Sequence, residues 1–144
     1  FQANPYKLLI KSKLFVLNSF EEGFSLSIVE SMALSVPVVS TNCSGPIEIL
    51  APNHKGLESI REPLNLENAT IIPVGTNVNY YAEKTLSKEE KILYLTIIRY
   101  LSGSIKINKI IDSAKLRAWD FSFEETWSDR EFEMLERLTV KVSK

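Results

Sequence analysis

This sequence lacks a pair of cysteines, an apolar run long enough to span a membrane, and an excess of positive or negative charge. A single cysteine, Cys43, excludes an internal disulfide and agrees with a reducing compartment. No run of about 18 apolar residues occurs, so no transmembrane helix is predicted. Lys and Arg number 17 against 18 Asp and Glu, which gives no general electrostatic reason to bind nucleic acid. We therefore expect a protein of the cytoplasm, or of the cytoplasmic face of a membrane, with no nucleic-acid partner.

Basic residues are missing from one long stretch of the chain. No Lys or Arg occurs between Lys13 and Lys55, although this stretch contains Glu22 and Glu30. The composition is otherwise ordinary, with 44% hydrophobic and 24% charged residues, and 144 residues leave room for one globular domain. The chain begins at Phe1 within what reads as the middle of a domain. We therefore expect residues 1–144 to form a single, partial domain.

Residues 13–33 predict a strand, a loop and a helix. Residues 13–19 form an apolar run rich in strand formers, and apolar residues then recur at helical spacing from Leu26. A helix that starts near Ser25 leaves its first backbone N–H groups unpaired, and the helix dipole favours negative charge beside them. The sequence therefore predicts an anion-binding site at this loop-to-helix junction.

Two glutamates flank the junction. Glu22 precedes Gly23 in the loop, and Glu30 lies in the second turn of the helix, with seven residues between the two glutamates. Because helical side chains tilt towards the helix N-terminus, the Glu30 carboxylate can lie over the same crevice as Glu22. Backbone donors for phosphate and carboxylate acceptors for hydroxyls together suit a nucleotide-sugar. A single glutamate on a surface helix is more often a solvated charge, so this interpretation depends on the surrounding pattern.

A second strand is predicted at residues 36–41. The sequence strand, helix, strand implies parallel pairing with a right-handed crossover, and ligands of such sheets bind beyond the carboxyl ends of the strands. The loops at residues 18–24 and 42–46 should then border one crevice. Ser44 and Gly45 either contact the ligand or only shape the second loop, since glycine permits a close backbone approach.

The rest of the chain is predicted to form a loop, one more strand and several helices. Residues 51–68 are rich in Pro, Asn and Glu and predict an exposed loop or insertion, and residues 69–74 predict a strand. The lone His54 has no neighbours at metal-ligand spacing. The predicted helices are a short one after Asn4 and Pro5, one opened by the capping box Ser87 and Glu90 and ended by Gly103, one restarting at Ser104, and one capped by Ser122 and Glu125.

A pattern at fixed spacing runs through residues 14–50. It consists of Ser19, Glu22, Gly23, Phe24, Leu26, Glu30, Met32, Ala33, Pro37, Val38, Val39, Thr41, Ser44, Gly45 and Pro46, followed by Glu48, Ile49 and Leu50. This pattern resembles the C-terminal donor-binding domain of the family-4 glycosyltransferases, which are retaining enzymes of the GT-B fold with a Glu-x7-Glu signature. The resemblance is weaker over residues 4–13, 70–74 and 117–138. It departs at Ser35, where the family usually has glycine at the end of the helix.

The resemblance implies a fold and a set of ligand contacts. The fold is α/β, with a Rossmann-like parallel sheet and flanking helices as part of the C-terminal domain of a GT-B enzyme, followed by C-terminal helices. Glu22 would hold hydroxyls of the transferred sugar and act in catalysis, while Glu30 would bind the ribose. The backbone would contact the sugar and the diphosphate at Gly23, Phe24, Ser25 and Leu26. The expected activity is hexosyl transfer from a nucleotide-diphosphate sugar, with no metal or other cofactor.

Family members also supply parts that this chain does not contain. An Arg and a Lys come from earlier in the same domain, and the acceptor site and a further catalytic residue come from a first domain. We therefore expect the isolated chain to be inactive, to need an N-terminal acceptor domain, and to associate with itself through an unpaired sheet edge. Two alternatives remain open here: a non-catalytic nucleotide-binding or interaction module, and a sugar-nucleotide epimerase of the GT-B type.

Overall fold

The computed structural model describes residues 4–75 and 85–121, which form an open sheet with helices on both faces. In chain order the elements are α1 (Tyr6–Leu9), β1 (Phe15–Leu17), α2 (Leu26–Ala33), β2 (Val38–Thr41), α3 (Ser44–Leu50), a 3-10 turn (Leu57–Ser59), β3 (Leu64–Asn65), β4 (Thr70–Ile72), α4 (Lys88–Leu101) and α5 (Ile107–Trp119). The predicted α/β class and the three predicted strands are confirmed. The helix predicted from Ser122 lies outside the described residues.

The sheet is parallel at its centre and antiparallel at one edge. Its strand order is β1-β2-β4-β3, with β1 parallel to β2 and β2 parallel to β4. Strand β3 runs antiparallel to β4, and Leu64 pairs with Ile71. The expected Rossmann-like parallel sheet is therefore confirmed, and a two-residue antiparallel strand is added at this edge.

The stretch that contains β3 was expected to be an exposed loop, and this expectation is wrong in part. Leu57 is buried in the core, and the buried amide of Asn68 donates a hydrogen bond to the carbonyl of Leu50 at 3.0 Å. The hydroxyl of Thr70 donates to Asn65 Oδ1 at 2.9 Å. Side-chain hydrogen bonds and several apolar contacts thus hold residues 51–68 against the core, although the segment is rich in turn formers.

Two apolar clusters lie on opposite faces of the sheet. The larger one joins α2, α3 and the end of α5 to alternate strand residues, and the smaller one packs α4 and the start of α5 against Val39 and Ile72. Helix α2 buries Ile28, Val29 and Met32 and contacts α5 more extensively than any other helix. The core on the α2 face therefore fixes the helix whose N-terminus points to the candidate site.

Ser35 adopts a left-handed backbone conformation, with φ of 61°. It lies just after α2, at the position where the family that the sequence resembles usually has glycine. A serine in this conformation costs roughly 1 kcal/mol relative to glycine, because its Cβ approaches the backbone. The cost affects the stability of the fold and not the chemistry of the site.

Helix α4 begins as predicted, with the capping box of Ser87 and Glu90 present. The residues that α4 buries are Ile92, Thr96 and Tyr100, and the tyrosine hydroxyl makes a 2.8 Å hydrogen bond with the Thr70 hydroxyl. Leu95, Ile98 and Leu101 are exposed. Helix α4 therefore meets the sheet through an apolar cluster and a hydrogen bond to β4.

Candidate functional site

The loop that follows β1 is fixed to the end of β2. Thr41 is fully buried at the carboxyl end of β2, and its hydroxyl donates a 2.6 Å hydrogen bond to the carbonyl of Ser19. The same hydroxyl oxygen accepts from the backbone N–H of Ser19 at 3.2 Å. The two strands thus end side by side at one edge of the sheet, and their loops start from a fixed point.

Glu22 is held within this loop by a short-range contact. The hydroxyl of Ser19 donates to Glu22 Oε2 at 3.1 Å, and the glutamate is half-buried. Because Ser19 is itself fixed by Thr41, the carboxylate of Glu22 is oriented through two successive hydrogen bonds from the end of β2. One carboxylate oxygen is engaged by the protein in this way.

The second loop packs directly against the backbone of the first. The hydroxyl of Ser44 and the backbone N–H of Gly45 both lie 3.3 Å from the carbonyl oxygen of Glu22, to which they donate. A Cβ atom at Gly45 would lie 1.6 Å from the carbonyl oxygen of Gly23. The two loops therefore lie side by side at one edge of the sheet, as the topology predicted. The close approach that needs a glycine at position 45 is one between two stretches of this chain, and ligand contact by Ser44 and Gly45 stays a prediction.

Helix α2 begins where the sequence predicted, immediately after Ser25. Ser25 has an extended backbone and makes no side-chain cap to the first turn; its hydroxyl instead lies 3.0 Å from that of Ser27. Phe24 and Leu26, on either side of Ser25, leave 46% and 44% of their surface exposed. The start of α2 therefore presents backbone donors without a side-chain cap, between two exposed apolar side chains.

Glu30 is held from a different element. The hydroxyl of Tyr6, on α1, donates to Glu30 Oε1 at 3.1 Å. Burial raises the pKa of the Glu30 carboxyl above its ordinary value, and the hydrogen bond from Tyr6 opposes this effect. Glu30 lies in the second turn of α2, as the sequence predicted. Each of the two glutamates thus has one carboxylate oxygen bound by a hydroxyl, Glu22 from its own loop and Glu30 from α1.

Glu30→Gln is expected to stabilise the protein without ligand at neutral pH. Because burial raises the folded pKa of Glu30, this residue favours folding below its ordinary pKa of 4.5 and loses that contribution as pH rises through the folded value. The neutral amide avoids the desolvated charge and can still accept from Tyr6. Water screens a half-buried group, so we expect a modest gain of about 0.5–1 kcal/mol at pH 7.

This gain should shrink towards about pH 4, where the glutamate of the parent protein becomes protonated. Urea unfolding at both pH values measures it, with Glu48→Gln as the control, since Glu48 is an exposed glutamate on α3. A gain that is the same at both pH values would mean that the charge of Glu30 is not its cause.

Arg117 joins the end of α5 to α3, and sequence analysis missed this contact. Its Nε donates to the carbonyl of Ile49 at 2.8 Å, and its Nη2 donates to the carbonyl of Glu48 at 3.2 Å. Its Nη1 forms an ion pair with Asp120 at 2.7 Å. The arginine thus donates hydrogen bonds to two of the last carbonyl groups of α3. The only advance signal was its place at the start of a stretch of weak family resemblance.

Phe121 connects the same arginine to the first loop. The guanidinium of Arg117 lies 4.5 Å from the centroid of the Phe121 ring, and that ring meets Phe24 edge-on with 5.5 Å between centroids. Phe24 was predicted to bind ligand through its backbone. Its side chain is therefore supported by Phe121, which lies two residues after the end of α5 and 97 positions later in the chain.

A cavity of about 470 Å³ lies elsewhere on the molecule. It is lined by residues 50–54 and 64–68 together with Ser113, Arg117 and Asp120. None of the residues predicted to bind ligand lines it. Within residues 4–75 and 85–121 there is also no group of three His, Cys, Asp or Glu side chains that could hold a metal ion. In the same ranges, no helix has the length and apolarity needed to cross a membrane.

Comparison with known proteins finds a family similar to the segment that contains this site. Residues 1–62 match the family described as glycosyl transferases group 1. An uncharacterised glycosyltransferase of Methanocaldococcus jannaschii is 31% identical over 131 residues, which cover 86% of this chain and 31% of the relative. Over residues 1–62 the chain is therefore similar to the group 1 glycosyltransferases. A probable sucrose-phosphate synthase of Thermosipho melanesiensis is 51% identical over 37 residues, or 26% of this chain and 9% of that protein.

The match to the group 1 glycosyltransferases includes the whole candidate site. Glu22, Glu30, Ser44 and Gly45 all lie within residues 1–62, whereas α4 and α5 lie beyond them. The chain spans less than a third of the length of either of these two curated relatives. The site therefore belongs to the part of the chain for which the family relationship is strongest.

Proposed function

We propose that the protein transfers a sugar, expected to be a hexose, from a nucleotide-diphosphate donor to an acceptor, with retention of configuration. The observation that carries this proposal is the arrangement of Glu22 and Glu30. Each carboxylate is fixed through one oxygen by a hydroxyl group, beside an uncapped helix start, in a segment that matches the group 1 glycosyltransferases. Residues 1–144 would be one partial domain of this enzyme, the donor-binding part.

Glu30 would bind the ribose hydroxyls of the donor. Its Oε1 already accepts from Tyr6, so Oε2 would accept from the ligand. A carboxylate that accepts from hydroxyls binds them more strongly than a neutral oxygen does. The backbone donors at the start of α2 would face the diphosphate, because both the orphan N–H groups and the helix dipole favour anions there.

Glu22 would bind hydroxyls of the transferred sugar and act in catalysis. It lies in the loop at the carboxyl end of β1, the edge at which ligands of parallel sheets bind. The backbone of Gly23, Phe24, Ser25 and Leu26 would contact the sugar and the phosphates. No metal is expected in this role. The positive charge that offsets a diphosphate would come from Arg and Lys side chains outside this chain. The acceptor would be bound by an N-terminal domain, which is also outside this chain.

The donor proposal is tested by calorimetric titration of nucleoside diphosphates into the full-length protein, and by analysis of products formed from activated sugars. Glu30→Ala should weaken nucleotide binding by about 1–3 kcal/mol, which is the scale of lost hydrogen bonds to a charged group. The matched control is Glu48→Ala, at an exposed glutamate on the neighbouring helix α3. Equal affinities for the two variants would count against the assignment of Glu30.

The products distinguish the proposed activity from its alternatives. A glycosylated acceptor supports transfer, and an epimerised sugar nucleotide would indicate an epimerase instead. Nucleotide binding with neither product would indicate a non-catalytic module. A wild-type protein that binds no nucleotide and forms no product would refute the proposal as a whole.

A further inference from the structure

Tyr6 makes the contact with Glu30 that no local sequence signal indicated. Its hydroxyl reaches across 24 positions of the chain, from α1 to the second turn of α2, to donate to Glu30 Oε1 at 3.1 Å. Its position on α1 is itself fixed, because its backbone N–H donates to Asn4 Oδ1 at 3.1 Å and its ring packs against the larger apolar cluster. The hydroxyl is therefore presented to the carboxylate from an anchored ring.

The hydrogen bond from Tyr6 helps to offset the cost of burying the Glu30 carboxylate. No Lys or Arg occurs between Lys13 and Lys55, and neither of the ion pairs formed within the described residues involves Glu30. A half-buried carboxylate needs donors to offset its desolvation. The Tyr6 hydroxyl supplies one, and a donor bound to one oxygen also fixes the plane of the carboxylate.

We propose that Tyr6 is a positioning residue for the nucleotide: it binds Oε1 of Glu30 and thereby turns Oε2 towards the ribose hydroxyls of the ligand. This inference rests on the proposed function. It adds α1, an element outside the loop-to-helix junction, to the parts that build the binding site. Tyr6 touches neither the ligand nor the reacting atoms in this role and acts only through Glu30.

Tyr6→Phe in the full-length protein tests the proposal, because it removes the hydroxyl and retains the packing of the ring. We expect the dissociation constant of a ribonucleoside diphosphate to rise about 3- to 10-fold, the scale of one ordinary hydrogen bond, because Tyr6 acts on the ligand only through Glu30. The kcat at saturating donor should be unchanged. The matched control is Tyr94→Phe, which removes an exposed tyrosine hydroxyl from α4. The control should bind as the parent does.

Two further measurements separate positioning from a merely structural role. In a double-mutant cycle, Tyr6→Phe should have little effect once Glu30→Ala is present, because its effect passes through the carboxylate. The 2′,3′-dideoxyribonucleoside diphosphate should bind the Tyr6→Phe variant and the parent equally, since it lacks the hydroxyls that Glu30 would bind. Equal weakening of the ribose and dideoxyribose ligands would show that Tyr6 only supports the fold, and would overturn the proposal.

The outcomes also distinguish this inference from the function on which it rests. A parent protein that binds the ribonucleoside diphosphate, together with a Tyr6→Phe variant of the same affinity, would overturn the positioning role alone. A parent protein that binds no nucleoside diphosphate would overturn both.

Discussion

Gly45→Ala is expected to separate the two loops of the site and to destabilise the protein by about 2–3 kcal/mol. The new Cβ would lie 1.6 Å from the carbonyl oxygen of Gly23 and 2.5 Å from its carbonyl carbon, so one of the two backbones must move. Alanine is the better helix former by roughly 0.5–1 kcal/mol, and Gly45 lies in α3. The collision is with backbone and cannot be relieved by a side-chain rotation, so it outweighs the gain in helix propensity.

Urea unfolding of the two glycine variants measures this effect. Gly23→Ala is the matched control, because it adds the same methyl group where no atom lies within 4 Å of the new Cβ. The control should unfold within about 0.5 kcal/mol of the parent, as most surface substitutions do. Equal unfolding free energies for Gly45→Ala and Gly23→Ala would mean that the loops adjust freely. The loss of the hydrogen bond from the Gly45 N–H to the Glu22 carbonyl should also weaken nucleotide binding by the Gly45 variant.

Glu22→Gln is expected to reduce turnover about 30- to 150-fold, while the affinity for free nucleoside diphosphate changes less than about 3-fold. The turnover effect corresponds to about 2–3 kcal/mol, the scale of charge-assisted hydrogen bonds that are fully made only in the transition state. The amide is isosteric with the carboxylate and can still accept from Ser19 at one oxygen. The expected loss therefore reports the charge of Glu22 and not its position in the loop.

Glu21→Gln provides the control for this experiment. Glu21 is the preceding residue, is exposed, and is given no role in the site. Its substitution makes the same chemical change one position away and should leave both constants as in the parent. Should Glu22→Gln lower turnover and nucleotide affinity by the same factor, Glu22 would be a general binding residue, and its assignment to the sugar would be wrong.

The elements with local signals could be predicted from the sequence. The capping box joins Ser87 and Glu90 within one turn of α4. The start of α2 after Ser25 and the parallel pairing of β1 with β2 are also confirmed. For the capping box and the start of α2, the residues that determine the structure are neighbours in the chain. The pairing of β1 with β2 follows from the order strand, helix, strand.

Contacts between distant residues could not be predicted in the same way. Tyr6 and Glu30 are 24 positions apart, and Thr41 and Ser19 are 22 apart, and no periodicity encodes a hydrogen bond across such a separation. Strand β3 has two residues, which is too short to show an alternating pattern. Its antiparallel pairing depends on side-chain hydrogen bonds that form only once the sheet exists.

Helix α4 illustrates a third limit, since its apolar spacing does not coincide with the face that it buries. Isoleucine and leucine recur every three residues from Ile92 to Leu101, whereas burial follows Ile92, Thr96 and Tyr100. The buried face includes Tyr100, whose hydroxyl makes a hydrogen bond with that of Thr70 on β4. Hydrophobic periodicity ranks faces by apolar content and does not include such polar contacts.

The hydrogen bonds between the two loops also bear on the entropy of binding. In the free protein, Ser19 is hydrogen-bonded to Thr41. The backbone carbonyl of Glu22 accepts hydrogen bonds from Ser44 and Gly45. Ordering a mobile side chain on binding costs about 0.5–1.5 kcal/mol, and this cost has already been met during folding for groups that are fixed in the free protein. Thr41→Val should therefore weaken nucleotide binding, because the loop of the free protein would sample more conformations. The loss should appear in the entropy of binding, although Thr41 lies behind the loop and is not expected to contact the ligand.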